Sequence, residues 1–517
     1  MDPRENDGET RALRLGSRLL LVVAAVFTFG AQLRWLDDPF DHSAAGEISA
    51  MYAVSARAFR DHGFASLRAA PTVFILTGSP ETQVPYLNHP GWPHFVFQAF
   101  FRFCGGDERS LRIPVLVVFA LAAWALRSTV RRAASDVAAN LTAALFLLVP
   151  ASIFYGRLVD AFTLNLALIV LGVGAWVRLR REAAGGGYAT FFVTATALGL
   201  ADWIGFLLAP ILLIDLLFET RRSFAREVAK LAAPFALALA ADLGWLAYAA
   251  GGIGRAAEVM RLLFLVPSGG DLAQSDYMPK GGYLGQAVEW IGGALSWPFV
   301  AAAVVGWSAA IIRVARRRAV PLDRPLLLLL AAGLLPLLVF WSRAATIEFW
   351  FLLLAPAVAL GVFSFWRDLG ARTGRAMAPL LMIGCLGFGV VGAVGGLALH
   401  RRWSTDRWVE RARVLNERFG EGDVLLFDRD VGAAGFYLDF ALVPAVGSEV
   451  LAKEAARRLE PAAARIERLY FGCPKEALAV NAWAIGLPRL STPPFTCRFD
   501  GGEALFVELD RAKFFGR

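Results

Sequence analysis

The chain has 517 residues, 57% of them hydrophobic and 19% charged, with a mean hydropathy of +0.53. A soluble protein of this length could not hide so much apolar surface, so a soluble enzyme or binding protein is excluded and a membrane protein is expected. The net charge of +8 falls largely on arginines at the ends of apolar runs, where membrane topology accounts for it without a nucleic-acid partner.

A bilayer core about 30 Å thick takes about 20 apolar residues per helix, and about eleven such runs are present. They lie near 15–36, 110–130, 137–155, 160–178, 188–201, 203–219, 231–250, 290–312, 325–342, 346–366 and 376–399. The first has an Arg-bearing polar leader and no small-residue cleavage site after it, which predicts an uncleaved anchor. Arg11, Arg14 and Arg18 precede it. Basic clusters then follow every even-numbered run: Arg127 with Arg131 and Arg132, Arg178 with Arg180 and Arg181, Arg221 to Lys230, Arg313 to Arg318, and Arg367 to Arg375. Positive charge favours the cytoplasm, so the N-terminus is expected inside and residues from about 400 onward outside.

Three outward segments are long enough to carry function: 37–109, 251–289 and 400–517. The first opens on Asp37, Asp38, Asp41, His42 and Glu47, followed from Ile48 to Phe59 by small and apolar residues at helical spacing. That pattern predicts an amphipathic helix along the membrane surface. Any one of these carboxylates is explained by solubility; the cluster before a surface helix is harder to dismiss.

Next comes "YLNHPGWPHFVFQAFF", residues 86–101, whose Pro90 and Pro93 stiffen the return to the membrane and whose Trp92 suits the interface. Asn88 and His89 can also hydrogen-bond a sugar or phosphate. A divalent ion held by His89 and a nearby carboxylate is the minority reading, since five histidines form no ligand spacing.

Arg157 and Arg343 sit at predicted outer helix ends, where positive charge is depleted, so each needs another reason to be there. An anionic phosphate is one, and snorkelling is the bland alternative. Asp160 and Asp202 read either as site carboxylates or as helix N-caps. Asp242, within the seventh run, reads as an interhelical hydrogen-bond partner. The Gly-rich stretch within 251–289 has the composition of a lid and equally of a connector. In the tail, "DRWVERARVLNERF" has helical spacing while "DVLLFD" and "ALFVELD" read as strands, giving a small α/β domain. Cys473 and Cys497 fall in that domain, either bridged or as two buried thiols.

The order of an acidic first loop, an "AxYAxxAR" helix (Ala50, Tyr52, Ala53, Ala56, Arg57) and "NHPGWPHFVFQAFFRFCGGDERSLRIP" resembles the polyprenyl-phosphate-dependent glycosyltransferases of the GT-C superfamily. The closest likeness is to the bacterial branch related to protein O-mannosyltransferases and lipid A aminoarabinose transferases. That branch writes His-Pro-Pro, Gly-x-x-Glu and Arg-Leu-Pro, where this chain has His89-Pro90-Gly91, Gly105 with Glu108, and Arg112-Ile113-Pro114. "YGRLVDAF", "LADWIGFLLAP" and "WSRAATIEFWFLLLAPAVAL" resemble its later segments, so the likeness runs over roughly the first 365 residues.

The resemblance implies a mainly α, polytopic GT-C membrane domain over 1–399; the tail carries none of the resemblance, and its own pattern predicts a small extracytoplasmic α/β domain over 400–517. It implies transfer of a sugar, with inversion, from a polyprenyl-phosphate donor to a hydroxyl of a glycolipid, polysaccharide or protein at the outer face of the bacterial cytoplasmic membrane. Asp41 and then Glu47 are the implied catalytic bases. His42, Tyr52, Arg57, Asn88, His89, Arg157, Asp160, Asp202, Arg343 and Glu348 are the implied substrate-binding residues, with membrane anchoring as the other reading of Arg57. Many relatives place Asp-Glu directly before the surface helix, whereas this chain has Asp41-His42 and then Glu47, so the register is open. A transporter or flippase of lipid-linked sugars, or an inactive glycolipid-binding relative, is the alternative. Internal symmetry, which carriers tend to show, is absent.

Overall fold

The computed structural model describes the chain except for residues 1–10, 42, 73–85, 88, 182–186, 219–223, 266–281, 342–343, 345–346, 374–376, 405–406, 421, 428–433, 439–440, 445–458, 460–462, 465, 475–494, 500–501 and 515–517. In chain order the helices are α1 (Arg11–Arg34), α2 (Ala44–His62), α3 (Trp92–Cys104), α4 (Glu108–Ala133), α5 (Asp136–Leu148), α6 (Pro150–Tyr155) and α7 (Ala161–Arg181). They continue as α8 (Tyr188–Ala201), α9 (Leu208–Leu217), α10 (Phe224–Ala250), α11 (Ile253–Leu265), α12 (Gly282–Leu295), α13 (Trp297–Ala315), α14 (Asp323–Val339), α15 (Ala355–Thr373), α16 (Met377–Trp403), α17 (Arg407–Asn416), α18 (Ala434–Tyr437) and α19 (Arg511–Phe514). Short 3-10 turns, Trp203–Leu207 and Glu348–Leu354, lead into α9 and α15.

Among the described residues, seven helices are long and apolar enough to cross a membrane: those over Arg11–Arg34, Glu108–Ala133, Ala161–Arg181, Phe224–Ala250, Trp297–Ala315, Glu348–Ala371 and Leu381–Trp403. The other expected runs form shorter helices. The run 137–155 breaks in two because Pro150 has no N–H to donate and drives Val149 out of the helical region, to φ −60° and ψ 133°. Inside a bilayer the carbonyls freed by such a break need donors. Helix α1 supplies one before the break, where Thr28 Oγ1 donates to Leu147 O at 2.9 Å; beyond it Gln32 Nε2 donates to Ser152 O at 2.9 Å beside the Gly156 N–H. Close approach follows from small residues on α16, where a Cβ on Gly392 would lie 1.7 Å from Leu148 O.

The chain divides into two compact units. One comprises 1–36, 112–244 and 256–402; the other comprises 37–111, 245–255 and 403–517. Residues 37–111 and 403–517 thus belong to one unit, a long-range association that local periodicity does not reveal.

In the first unit the basic helix ends are tied by ion pairs as well as serving topology. Arg313 forks onto the fully buried Asp323 and also contacts Asp368, Arg324 pairs with Asp215 at 2.6 Å, and Arg180 pairs with Glu227 at 2.7 Å.

In the second unit the described part of the tail carries a small sheet with short helices. Strands β1 (Asp423–Phe427), β2 (Ala441–Pro444), β3 (Arg468–Pro474), β4 (Phe495–Phe499) and β5 (Gly502–Glu508) make a mixed sheet in the order β2-β1-β3-β5-β4, parallel from β2 to β3 and antiparallel beyond. Phe419, just beyond α17, packs on Tyr470 and Phe506 of the sheet. Asp423 takes a two-pronged hydrogen bond from Arg468, at 2.8 and 2.6 Å. Of the two cysteines, Cys497 is a buried free thiol whose pKa burial pushes up. The side chain of Cys473 lies outside the described residues.

Candidate active site

Within the first unit, two buried guanidinium groups converge on the C-terminal end of α1. Arg157 Nη1 donates to Trp35 O at 2.5 Å, while Arg112 Nη1 donates to the same oxygen at 3.2 Å and to Leu36 O at 2.7 Å. Arg112 and Arg157 are 4% and 5% exposed. The Arg157 guanidinium also lies over the rings of Trp35 and Phe154, and the Trp35 ring stacks on His400 at 3.9 Å. Such a setting orients the arginine rather than letting it snorkel into solvent. Two cations sharing one carbonyl end create a strongly electropositive spot suited to an anion.

Asp160 stands just before α7, and its Oδ1 accepts from the Ala161 N–H at 2.5 Å, so the N-cap reading describes at least one of its oxygens. Asp202 differs. It precedes the 3-10 turn Trp203–Leu207 in an extended conformation, is 1% exposed, and makes no side-chain cap hydrogen bond. Glu348 is buried at the start of the turn Glu348–Leu354, whose Phe349 packs edge-on against Phe162 at 5.0 Å and lies 6.4 Å from Tyr155. These aromatic contacts bring the Glu348 segment to the α6–α7 corner that carries Arg157 and Asp160. Asp242, on α10, is completely buried.

Within the second unit, Asp41 is buried in the turn before α2. Its Oδ1 accepts from the Ser43 N–H at 2.9 Å and from the Ser43 hydroxyl, and Ser43 Oγ in turn caps α2 by accepting from the Gly46 N–H. Glu47 lies in the first turn of α2, half-buried. Asp37 is exposed and forms a two-pronged pair with Arg109, which separates it from the buried Asp41.

Residues on most of the circumference of helix α2 are buried, Ala45, Ser49, Tyr52, Ala53, Ser55, Ala56 and Phe59 among them, with α3 packed along it. An apolar stripe on α3, Trp92, Val96, Phe100 and Phe103, is the exposed one. Arg57 directs its guanidinium to tail carbonyls, donating to Leu438 O at 3.1 Å and Phe436 O at 3.4 Å.

Tyr52 is buried and stacks face to face on His94, with centroids 4.0 Å apart and planes 6° from parallel. His94 is 1% exposed, and among the described residues neither ring nitrogen has a hydrogen-bond partner. Burial, aided by His89, holds its pKa well below the usual imidazole value, so the ring is neutral. Tyr86 lies beside both histidines, its centroid 5.8 Å from His89 and 6.2 Å from His94. Gly91 is explained by Trp245: a Cβ there would come 2.7 Å from the indole ring, whose Nε1 donates to Ala69 O at 2.9 Å.

His42, Asn88, Arg343 and the middle of the 251–289 loop lie outside the described residues. Among the described residues, no group of three or more His, Cys, Asp or Glu is placed to hold a metal ion.

Residues 88–245 match the family model of the dolichyl-phosphate-mannose-protein mannosyltransferases. No curated protein matches the chain in sequence. In structure it is similar to ArnT from Cupriavidus metallidurans bound to undecaprenyl phosphate, at a TM-score of 0.60 and 14% identity, over 95% of this chain and 97% of that one. It is similar also to the oligosaccharyltransferase AglB from Archaeoglobus fulgidus in complex with an inhibitory peptide and a dolichol-phosphate, at a TM-score of 0.56 and 13% identity, over 89% and 69%. The chain carries the GT-C fold.

Two buried residues, Arg112 in the first unit and His94 in the second, were not singled out as site residues from the sequence. Arg112 was quoted only as part of the Arg-Ile-Pro motif. His94 sits in an apolar helix at a spacing that reads as core. Its signal was chemical: a histidine on the buried face of a helix must find two hydrogen-bond partners or a reason to lack them.

Proposed function

We propose that the chain is an inverting glycosyltransferase. It moves a sugar from a polyprenyl-phosphate donor to a hydroxyl of a glycolipid, polysaccharide or protein, at the outer face of the bacterial cytoplasmic membrane. One observation carries this reading: the buried guanidinium groups of Arg112 and Arg157 converge on the Trp35 carbonyl, an electropositive spot suited to a phosphate. An anion-binding pair of arginines and a carboxylate base are the two functions that inversion at a phosphorylated anomeric carbon requires. The match of residues 88–245 to a mannosyltransferase family model supports the reading, as do similar folds solved with undecaprenyl phosphate and with dolichol-phosphate.

The base, Asp41, takes the proton of the acceptor hydroxyl. The oxygen attacks the anomeric carbon, the bond to the phosphate oxygen breaks, and its electron pair leaves with the polyprenyl phosphate. Arg112 and Arg157 hold that departing charge, and Asp160, Asp202 and Glu348 orient the arginines or the sugar. Glu47 is the second candidate for the base.

The test is mass spectrometry of envelope glycolipids, polysaccharides and glycoproteins from a deletion strain complemented with wild type, Asp41→Asn or Glu47→Gln. Wild type restores one sugar mass that the deletion lacks, and Asp41→Asn lowers its level by about 100-fold or more, the usual worth of a general base. Full restoration by both variants would remove the carboxylates from the mechanism, and no difference between deletion and wild type would remove sugar transfer.

A further inference from the structure

The tail reaches the candidate base through one phenol. Tyr437 Oη, at the end of the short helix α18, accepts from the Phe40 N–H at 3.0 Å and donates to Glu108 Oε1 at 2.5 Å. A tyrosine hydroxyl is a donor and an acceptor at once, so this one links the backbone amide next to Asp41 to the carboxylate that begins α4. Phe40 is 1% exposed, its ring edge-on to Phe436 with centroids 5.3 Å apart. Helix α18 is itself fixed from both sides. Asn416 Nδ2 donates to Tyr437 O at 3.0 Å, and Arg57 of α2 donates to the carbonyls of Phe436 and Leu438.

We propose that Tyr437 is a positioning residue: by holding the Phe40 amide against Glu108, the C-terminal domain sets the orientation of the Asp41 carboxylate. Three features support this beyond simple packing. The hydrogen bond falls on the residue adjoining Asp41, not elsewhere in the loop. The Asp41 turn is short, closed by Ser43 and the α2 cap, so a rotation at Phe40 is passed directly to the carboxylate. The guanidinium of Arg57 makes α2 and α18 move together, so the domain holds the turn from both ends. Catalytic groups displaced by about 1 Å lose rate while ligand binding survives, which gives positioning its signature.

The role in catalysis rests on the proposed sugar transfer, and the tie itself does not, so the experiment reads the two separately. Tyr437→Phe removes one hydroxyl and keeps the ring. Three quantities are measured on the full-length protein, wild type and variant: amide hydrogen exchange in peptides spanning 36–47, binding of undecaprenyl phosphate, and the sugar product in complemented cells at equal expression.

The expected result is exchange about tenfold faster in those peptides, undecaprenyl phosphate affinity within twofold of wild type, an unchanged melting temperature and a product level about tenfold lower. Unchanged exchange and product would overturn the proposal. A drop in melting temperature and lipid affinity in step with product would also overturn it, making Tyr437 a structural tie only. Faster exchange in a protein whose wild type transfers no sugar would leave the tie standing and refute the transfer reading instead.

Discussion

Gly91 and His94 show how a single position in "NHPGWPH" is set by a neighbour far away in sequence. Gly91 has ordinary helical dihedrals, φ −73° and ψ −16°, so its backbone would accept any residue; only the flat approach of the Trp245 indole forbids a side chain. Gly91→Ala is expected to destabilise the protein by about 1–3 kcal/mol through overpacking, and Trp245→Leu in the same chain to recover most of that loss. Thermal melts of the single and double variants measure both. His94 leads to a pH dependence. Its folded pKa is depressed, so below about pH 6.5 the unfolded chain binds a proton that the folded one refuses. Stability should therefore fall as pH drops through that value, by up to about 1.4 kcal/mol per pH unit. Melting temperatures of wild type and His94→Gln from pH 7.5 to 5.5 test this: the acid-side slope should be shallower in the variant. An equal slope would locate the titrating group elsewhere.

At the scale of elements, the break between α5 and α6 is a structural decision made by Pro150 and completed by α1. Gln32→Leu keeps the volume but removes the donor shared by the Ser152 and Ile153 carbonyls, of which Ser152 O keeps the Gly156 N–H; a loss of about 0.5–1.5 kcal/mol is expected, read from denaturant or thermal unfolding in detergent. The same break illustrates which features were legible in advance. Apolar runs announced the seven helices that, among the described residues, are long and apolar enough to cross a membrane, because such a helix is a local property of about 20 residues. The run 137–155 concealed two helices because hydropathy is blind to a missing N–H. The α2 helix was foreseen within a few residues at each end, but its surroundings were not. An amphipathic pattern reports that one face is apolar, and lipid or α3 satisfies it equally. The arginines at α1 fall between these cases: positive charge at an outer helix end flagged Arg157, whereas its convergence with Arg112 on Trp35 O depends on packing.

At the scale of the molecule, the association of the 37–111 loop with the tail carries the largest consequence. The tail supplies Phe436 and Tyr437 against Phe40 and two carbonyls to Arg57, so the loop bearing Asp41 is built partly from residues about 400 positions away in sequence. Loop closure over such a separation adds little entropic cost once the domain is folded. It leaves the loop dependent on that domain. A chain ending at Trp403 retains all seven candidate spans, each with its own backbone hydrogen bonds, and should insert normally. It should lose protection of the loop, since Phe40, Arg57 and Glu108 lose their partners together. Limited proteolysis of inside-out and right-side-out vesicles tests both statements, and the topology with them. Cleavage within 37–72 should appear in the truncated chain and be weak in the full-length one. With the N-terminus cytoplasmic, it should appear only when protease is added to the outer face. Cleavage from the cytoplasmic side would invert the orientation inferred from the arginine clusters, and with it the membrane face of the candidate active site. Equal resistance in both chains would mean that the loop folds on its own, and the dependence of Asp41 on the tail would have to be abandoned.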